Sequence, residues 1–182
     1  MKTILPILIF FSSSLIFAQN TAPILDGIVK EQEWQDAQNF SLDYEIDPGD
    51  NTPPPHKTKA YIKYTKTDLY IGFIAYADMK NLRSSIRNRD EGFRDDNVLF
   101  GFDTYGDGRY MIALGANPEG NQIDVKVLSN GGDDNYDVNF ESRASKQQDN
   151  YQVELKIPFA NLQFKPAEEM RWKDVFARNT YW

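Results

Sequence analysis

The sequence predicts an all-β fold, a β-sandwich of jelly-roll-like type with one or two short helices. Two observations carry this. From Thr58 onward, apolar residues alternate with polar ones at period two far more often than they recur at helical spacing. Turn signals rich in Gly, Asn and Asp then separate these runs, at 66–68, 106–108, 117–120 and 130–134.

In chain order, Asp26 and Gly27 mark a tight turn, with glycine free to take positive φ. Residues 30–37 place Trp34 and Ala37 three apart, on one face of a short helix. The segment 47–56 holds Pro48, Pro53, Pro54 and Pro55, and proline cannot donate to a ladder, so it is an extended loop or an edge. Strands are predicted over 58–65 and 69–77. A second short helix follows at 79–88, where Leu82 and Ile86 stand four apart. The remaining strands are predicted over 97–103, 109–116, 122–128, 138–144, 151–157 and 175–181. Trp34 and Trp172 are expected to pack in the core, each sealing part of the sandwich.

The N-terminus predicts processing. Lys2 precedes an apolar run over 4–17, broken only by Ser12, Ser13 and Ser14, and the run exits through Phe17, Ala18 and Gln19. This pattern predicts a secretory signal peptide, residues 1–18, cut after Ala18. It is shorter than the roughly 20 residues a membrane span needs. Residues 19–182 then form one module, and an exported protein is expected in the periplasm, at the outer membrane or outside the cell. The chain has 0 Cys, so its core holds it without disulfides. A net charge of -7 argues against nucleic acid and anionic membrane surfaces. With 1 His, a multi-histidine metal site is excluded and a Ser-His-Asp triad is disfavoured. Neither a P-loop nor a dinucleotide fingerprint is present.

A set of segments gives a family resemblance. Residues 24–37 read ILDGIVKEQEWQDA, followed by an LY-type strand ending in Ala77 and Asp78, and by Asp96 to Asp103 in a D-x-V-x-apolar-x-apolar-D pattern. Residues 151–162 then read Y-x-x-E-x-x-I-P-F-x-x-L, and Trp172 to Arg178 supply a W…R closing strand. In this order the chain resembles the family 9 carbohydrate-binding modules. Arg89-Asp90 and the N-P-x-G of 117–120 resemble, more narrowly, modules that precede a large C-terminal domain of unknown function in exported Gram-negative proteins. On that resemblance the sequence is expected to be truncated at its C-terminus, with a missing C-terminal domain as partner and an exposed sheet edge.

The resemblance implies non-catalytic binding of a polysaccharide or oligosaccharide, associated with polysaccharide catabolism. The family holds its sugar between two Trp side chains. The first position falls on Phe93, and the second lies beyond Trp182. A sugar-contacting Arg of the family falls near Met111, with Arg109 close enough to substitute. Arg178 on the last strand, Asn117 in a turn and Asp124 on a strand complete the candidate ligand residues. The family also carries structural calcium. Asp95, Asp96, Asp103 and Asp107 bracket one strand and offer the hard oxygens Ca²⁺ prefers. Two other classes stay open. One is an accessory or interaction domain of an outer-membrane-associated protein without sugar affinity. The other is a glycoside hydrolase, which needs two carboxyl groups about 5 to 10 Å apart; Glu154, inside a strand, is read as structural or binding.

Overall fold

Ten strands arise among the described residues because each apolar run has a partner run to face. The computed structural model describes residues 21–167 and 170–181, so the expected signal peptide at 1–18 and Trp182 lie outside the described residues. The strands are β1 (Gln38–Ser41), β2 (Thr58–Tyr64), β3 (Asp68–Tyr76), β4 (Asn97–Asp103) and β5 (Tyr110–Ala116), then β6 (Gln122–Leu128), β7 (Gly131–Asp133), β8 (Glu141–Lys146), β9 (Asn150–Pro158) and β10 (Lys173–Asn179). All pair antiparallel, in two five-stranded sheets ordered β1-β2-β3-β9-β8 and β10-β4-β5-β6-β7. No described helix is long and apolar enough to cross a membrane.

The core lies between the sheets. Ile71, Phe73 and Ala75 of β3 and Val153, Leu155 and Ile157 of β9 face Val98, Phe100 and Phe102 of β4 and Ile112 and Leu114 of β5. Trp172 closes one end, its ring stacked on Phe102 at 5.9 Å and packed against Phe159 and Phe164.

Trp34 behaves differently from the expectation of a core end-seal. It is buried, but on the outer side of the first sheet, where Gly72 leaves room: a Cβ there would meet the indole at 3.1 Å. One strand over, and in register with Gly72, stands Glu154. Its carboxylate accepts from the Trp34 Nε1–H at 3.1 Å and from the backbone N–H groups of Asp26 and Gly27 at 3.0 and 2.8 Å. Gly27 sits at φ +85, where an L side chain is strained and an added Cβ would meet the Ala144 backbone at 2.8 Å. So the D-G turn, the Trp and the strand Glu of the sequence pattern form one clasp that fastens the N-terminal segment across the sheet. The Glu154 carboxyl is pushed up by burial, against these donors, which draw it down.

The structure departs from the expected elements in four places. The helix at 30–37 is a single turn, α1 (Glu31–Trp34). No helix forms at 79–88, where alternate backbone N–H groups are taken by side chains: Arg83 by Asp96, Ser85 by Asp95 and Arg87 by Asn121. An N–H bonded sideways every second residue holds an extended strap. The strand expected at 138–144 starts only at Glu141, because the Val138 N–H is captured by the Asp124 carboxylate at 2.6 Å. Short edge strands β1 and β7 were not expected, and β1 and β10 lie at sheet edges.

Candidate functional site

The outer face of the second sheet is apolar. Residues alternating with the core positions are Leu99 and Gly101 on β4, Met111 and Ala113 on β5, Val125 and Val127 on β6, and Val175 and Ala177 on β10. A half-solvated sheet normally alternates polar with apolar, so two apolar faces on one sheet need a reason. Gly101 lowers the floor, letting Met111 and Val175 close over it: an added Cβ would stand 2.6 Å from the Met111 sulfur and 2.9 Å from Val175. The face runs about 20 Å, the length of a seven-residue strand.

Polar groups stand at both ends. Near Asp103 the face deepens into a pocket of about 360 Å³, floored by Met111, Val127 and Val175 and rimmed by Arg109, Lys173 and Asp174. Arg109 is 84% exposed and its Nε is 3.4 Å from Asp107, an ion pair open to water. At the other end, the turn Glu91–Arg94 folds over β6, with Gly92 resting on Ile123: a Cβ would stand 2.8 Å away. This turn carries Phe93, half-buried and outside the core, whose carbonyl accepts the Tyr181 hydroxyl. The Arg83 guanidinium lies 5.3 Å from the Tyr181 ring centre, and Asn179 donates to Asn97 at 2.9 Å.

Of the residues singled out from sequence, Phe93 and Arg109 flank this face, at opposite ends. Arg178 does not. It points between the sheets, donating from Nη1 to the Tyr76 carbonyl at 2.6 Å and the Thr58 hydroxyl at 3.1 Å, with its guanidinium 5.5 Å from the Tyr151 ring centre. Asn117 is buried in its turn, donating to Ser85 and Asp95 and accepting from Glu119 and Asn121. Asp124 is register partner to the core residue Leu114, so it faces inward, where Arg89 binds both its oxygens at 2.8 and 2.7 Å. These three hold the fold rather than a ligand face.

The four aspartates expected to hold calcium do not meet. Asp95 and Asp96 precede β4 and Asp103 ends it, so a whole strand separates the pairs. Asp95 receives a two-pronged Arg87 contact at 2.8 and 3.0 Å, and Asp96 accepts from the Arg83 N–H. Asp103 accepts from the N–H groups of Tyr105, Gly106 and Gly108, and Asp107 faces Arg109. Burial alone would raise Asp95 and Asp103; instead both lie below the usual carboxylate range, Asp95 through Arg87 and Asn117, Asp103 through its three N–H donors. A different trio, Asp90, Asp124 and Asp137, gathers its oxygens within 4.8 Å, but Arg89 already stands among them, 2.7 Å from Asp124 and 3.2 Å from Asp137. The donor sets therefore do not fit calcium. The expected outcome is a melting temperature that moves by less than about 1 °C between millimolar calcium and chelator; thermal denaturation in the two buffers measures it, and a rise of several degrees would restore a calcium site.

The floor residues Val127 and Val175 and the edge aromatic Tyr181 were not singled out from sequence, and Met111 only as the place where a sugar-contacting Arg of the family falls. A signal existed: β4 reads NVLFGFD, apolar or glycine through both phases of the alternation.

The sequence matches no family model and no curated protein. Solved structures do match. A family 9 carbohydrate-binding module of Caldicellulosiruptor kristjanssonii in complex with cellotriose aligns at TM-score 0.59 and 18% identity, over 88% of this chain and 73% of that one. A family 9 module of the same organism, in complex with glucose, aligns at TM-score 0.55 and 18% identity, over 86% of this chain and 73% of that one. A candidate carbohydrate-binding protein of Bacteroides uniformis aligns at TM-score 0.63 and 12% identity over 79% and 72%. The fold is that of the family 9 modules.

Proposed function

We propose that this protein binds glycans without cleaving them, on the outer face of its second sheet. The face itself carries the reading: an apolar floor suited to the C–H faces of a sugar, flanked by Arg109 and Lys173 at one end and by Asn179 and the Phe93 and Tyr181 rings at the other, where hydroxyls need partners. Its fold is shared with modules that, in the Caldicellulosiruptor case, hold cellotriose or glucose. Catalysis fits poorly. Asp103 is engaged by three loop N–H groups and Asp107 by Arg109, so neither is poised as a general acid. The same proposal includes export to the periplasm, outer membrane or exterior and a role beside polysaccharide breakdown.

The test is a glycan array on the 19–182 chain, followed by titration of the strongest hit. Phe93→Ala is expected to weaken binding about tenfold, a loss of about 1.4 kcal/mol, and Phe93→Trp to tighten it by widening the stacking surface. Met111→Asp is expected to abolish it by placing a charge on the floor. No binding by a cooperatively folded sample would overturn the proposal and favour the interaction-domain reading; release of reducing ends would make the protein a hydrolase.

A further inference from the structure

The two ends of the outer face stand too far apart for one sugar unit to touch both. At the deep end, Arg109 and Lys173 rim the pocket of about 360 Å³. Lys173 is in register with Asp103 and alternates with the floor residue Val175, so it rises on the same side of the sheet as the floor. At the other end the turn Glu91–Arg94 stands on the face as a wall, with Gly92 over Ile123 and Phe93 beside it. The two ends are separated by the length of β5, 7 residues, or about 20 Å. Between them the floor presents no polar side chain among the described residues. The wall is firmly set: the Asp95 N–H donates to the Gly92 carbonyl at 3.1 Å, and the Asn97 amide donates to the Asp95 carbonyl at 2.9 Å, both residues 0% exposed. Buried polar groups that fix a turn hold its ring in one place over the floor.

We propose that this face selects its ligand by length: a linear oligosaccharide of about four units lies along β4 and β5, one end unit at Arg109 and Lys173 and the far unit on Phe93. The proposal rests on the glycan-binding reading above. A pyranose advances a chain by about the spacing of paired strands, about 5 Å, so about four units fill the face. A single sugar meets only one end. In the deep pocket it finds cations and no stacking ring, and on Phe93 it finds a ring without those cations. An extended chain meets both, and its middle units lay C–H faces on the apolar floor. Once the deep end is seated, the far unit is held near Phe93 without a second loss of translational freedom, so affinity rises with length until the face is filled. Beyond that it levels off. The turn past Arg109 is open, since at Gly108, φ +72, nothing lies within 4 Å of where a Cβ would stand. Further units leave there without new contacts.

The test titrates the protein with ladders of about one to six units, β-1,4-linked glucose first and then the backbone of the strongest array hit. In the ladder that binds, affinity is expected to rise about tenfold from two units to four, and to change by less than about twofold from four to six. The cost of Phe93→Ala is expected to grow along the same ladder, from about twofold or less at two units to about tenfold at four. Arg109→Ala is expected to weaken both lengths alike, because the deep end seats the short ligand too. Equal affinity for one, two and four units would confine the ligand to one end and overturn the proposal, while the glycan reading stands. So would a Phe93→Ala cost that is the same at two units and at four, or an affinity still climbing about tenfold from four units to six. Binding to no ladder and no array glycan by a cooperatively folded sample would remove the glycan reading, and this proposal with it.

Discussion

Replacing Glu154 with Leu is expected to destabilise the protein by about 3–5 kcal/mol, the scale of leaving several buried N–H donors without an acceptor. The residue is 0% exposed and serves three donors, the N–H groups of Asp26 and Gly27 and the Trp34 indole. Leucine fills the volume but leaves all three facing an apolar wall. Each unsatisfied donor costs about 1–3 kcal/mol, and partial escape of the N-terminal segment to water limits the sum. The melting temperature should fall by roughly 10 °C or more for a domain of this size. Glu154→Gln separates the contributions. Its carbonyl still accepts from the turn, but its amide meets the Trp34 N–H donor to donor, so a loss of about 1–3 kcal/mol is expected. The pH dependence has a definite sign. Because burial raises this carboxyl, the folded state holds its proton to higher pH than the unfolded one, and stability falls as pH rises through that window. Wild type should therefore gain on Glu154→Gln as pH drops from neutral toward the carboxylate range. A loss under about 1 kcal/mol for Leu would mean that water reaches the clasp.

The clasp also shows what was legible. The period-two runs located the central strands β2 to β6 and β9 to within a residue or two, because both neighbours of each strand are other strands and the alternation reflects a real inner face. Edge elements were harder: β1 and β7 have a neighbour on one side only and little apolar patterning. The strap at 79–88 misled for a specific reason, since Leu82 and Ile86 carry a helical spacing while side chains from Asp95, Asp96 and Asn121 claim the backbone. Placing the site residues was harder for a related one. Arg178 and Asp124 are polar residues within strands and Asn117 follows one, and only the register reveals that Arg178 and Asp124 face inward to partners elsewhere in the chain. Phe93 and Arg109 lie on turns at the two ends of the apolar face, where no inner face competes for them.

Asp95 is where the strap and the apolar outer face proposed to bind sugar become one problem. Its carboxylate binds Arg87 twice, takes the Ser85 N–H and the Asn117 amide, and its own N–H caps the turn carrying Phe93 by donating to Gly92 at 3.1 Å. Asp95→Asn keeps the shape but removes the charge, leaving Arg87 against a neutral partner and one amide N–H₂ turned toward another donor. A destabilisation of about 2–4 kcal/mol is expected at neutral pH. The acid limb gives an independent check. The folded carboxyl lies below its unfolded value of about 3.9, so its contribution is complete above that pH and disappears as pH falls through the folded value. The gap between wild type and Asp95→Asn in urea unfolding should therefore close below about pH 4 and stay constant from about pH 5 to 8. Hydrogen exchange should quicken first at the amides of Arg83, Ser85 and Arg87, the three that the strap pins to side chains. Because Asn97 also reaches under the same turn to the Asp95 carbonyl at 2.9 Å, a loosened strap lets Phe93 wander over its end of the face. Glycan affinity should then fall in Asp95→Asn although Asp95 never meets the sugar, and Asp103→Asn, at the opposite end, should leave the Phe93 contribution intact. Equal loss of the Phe93→Ala effect in both variants would mean that the strap does not position the ring.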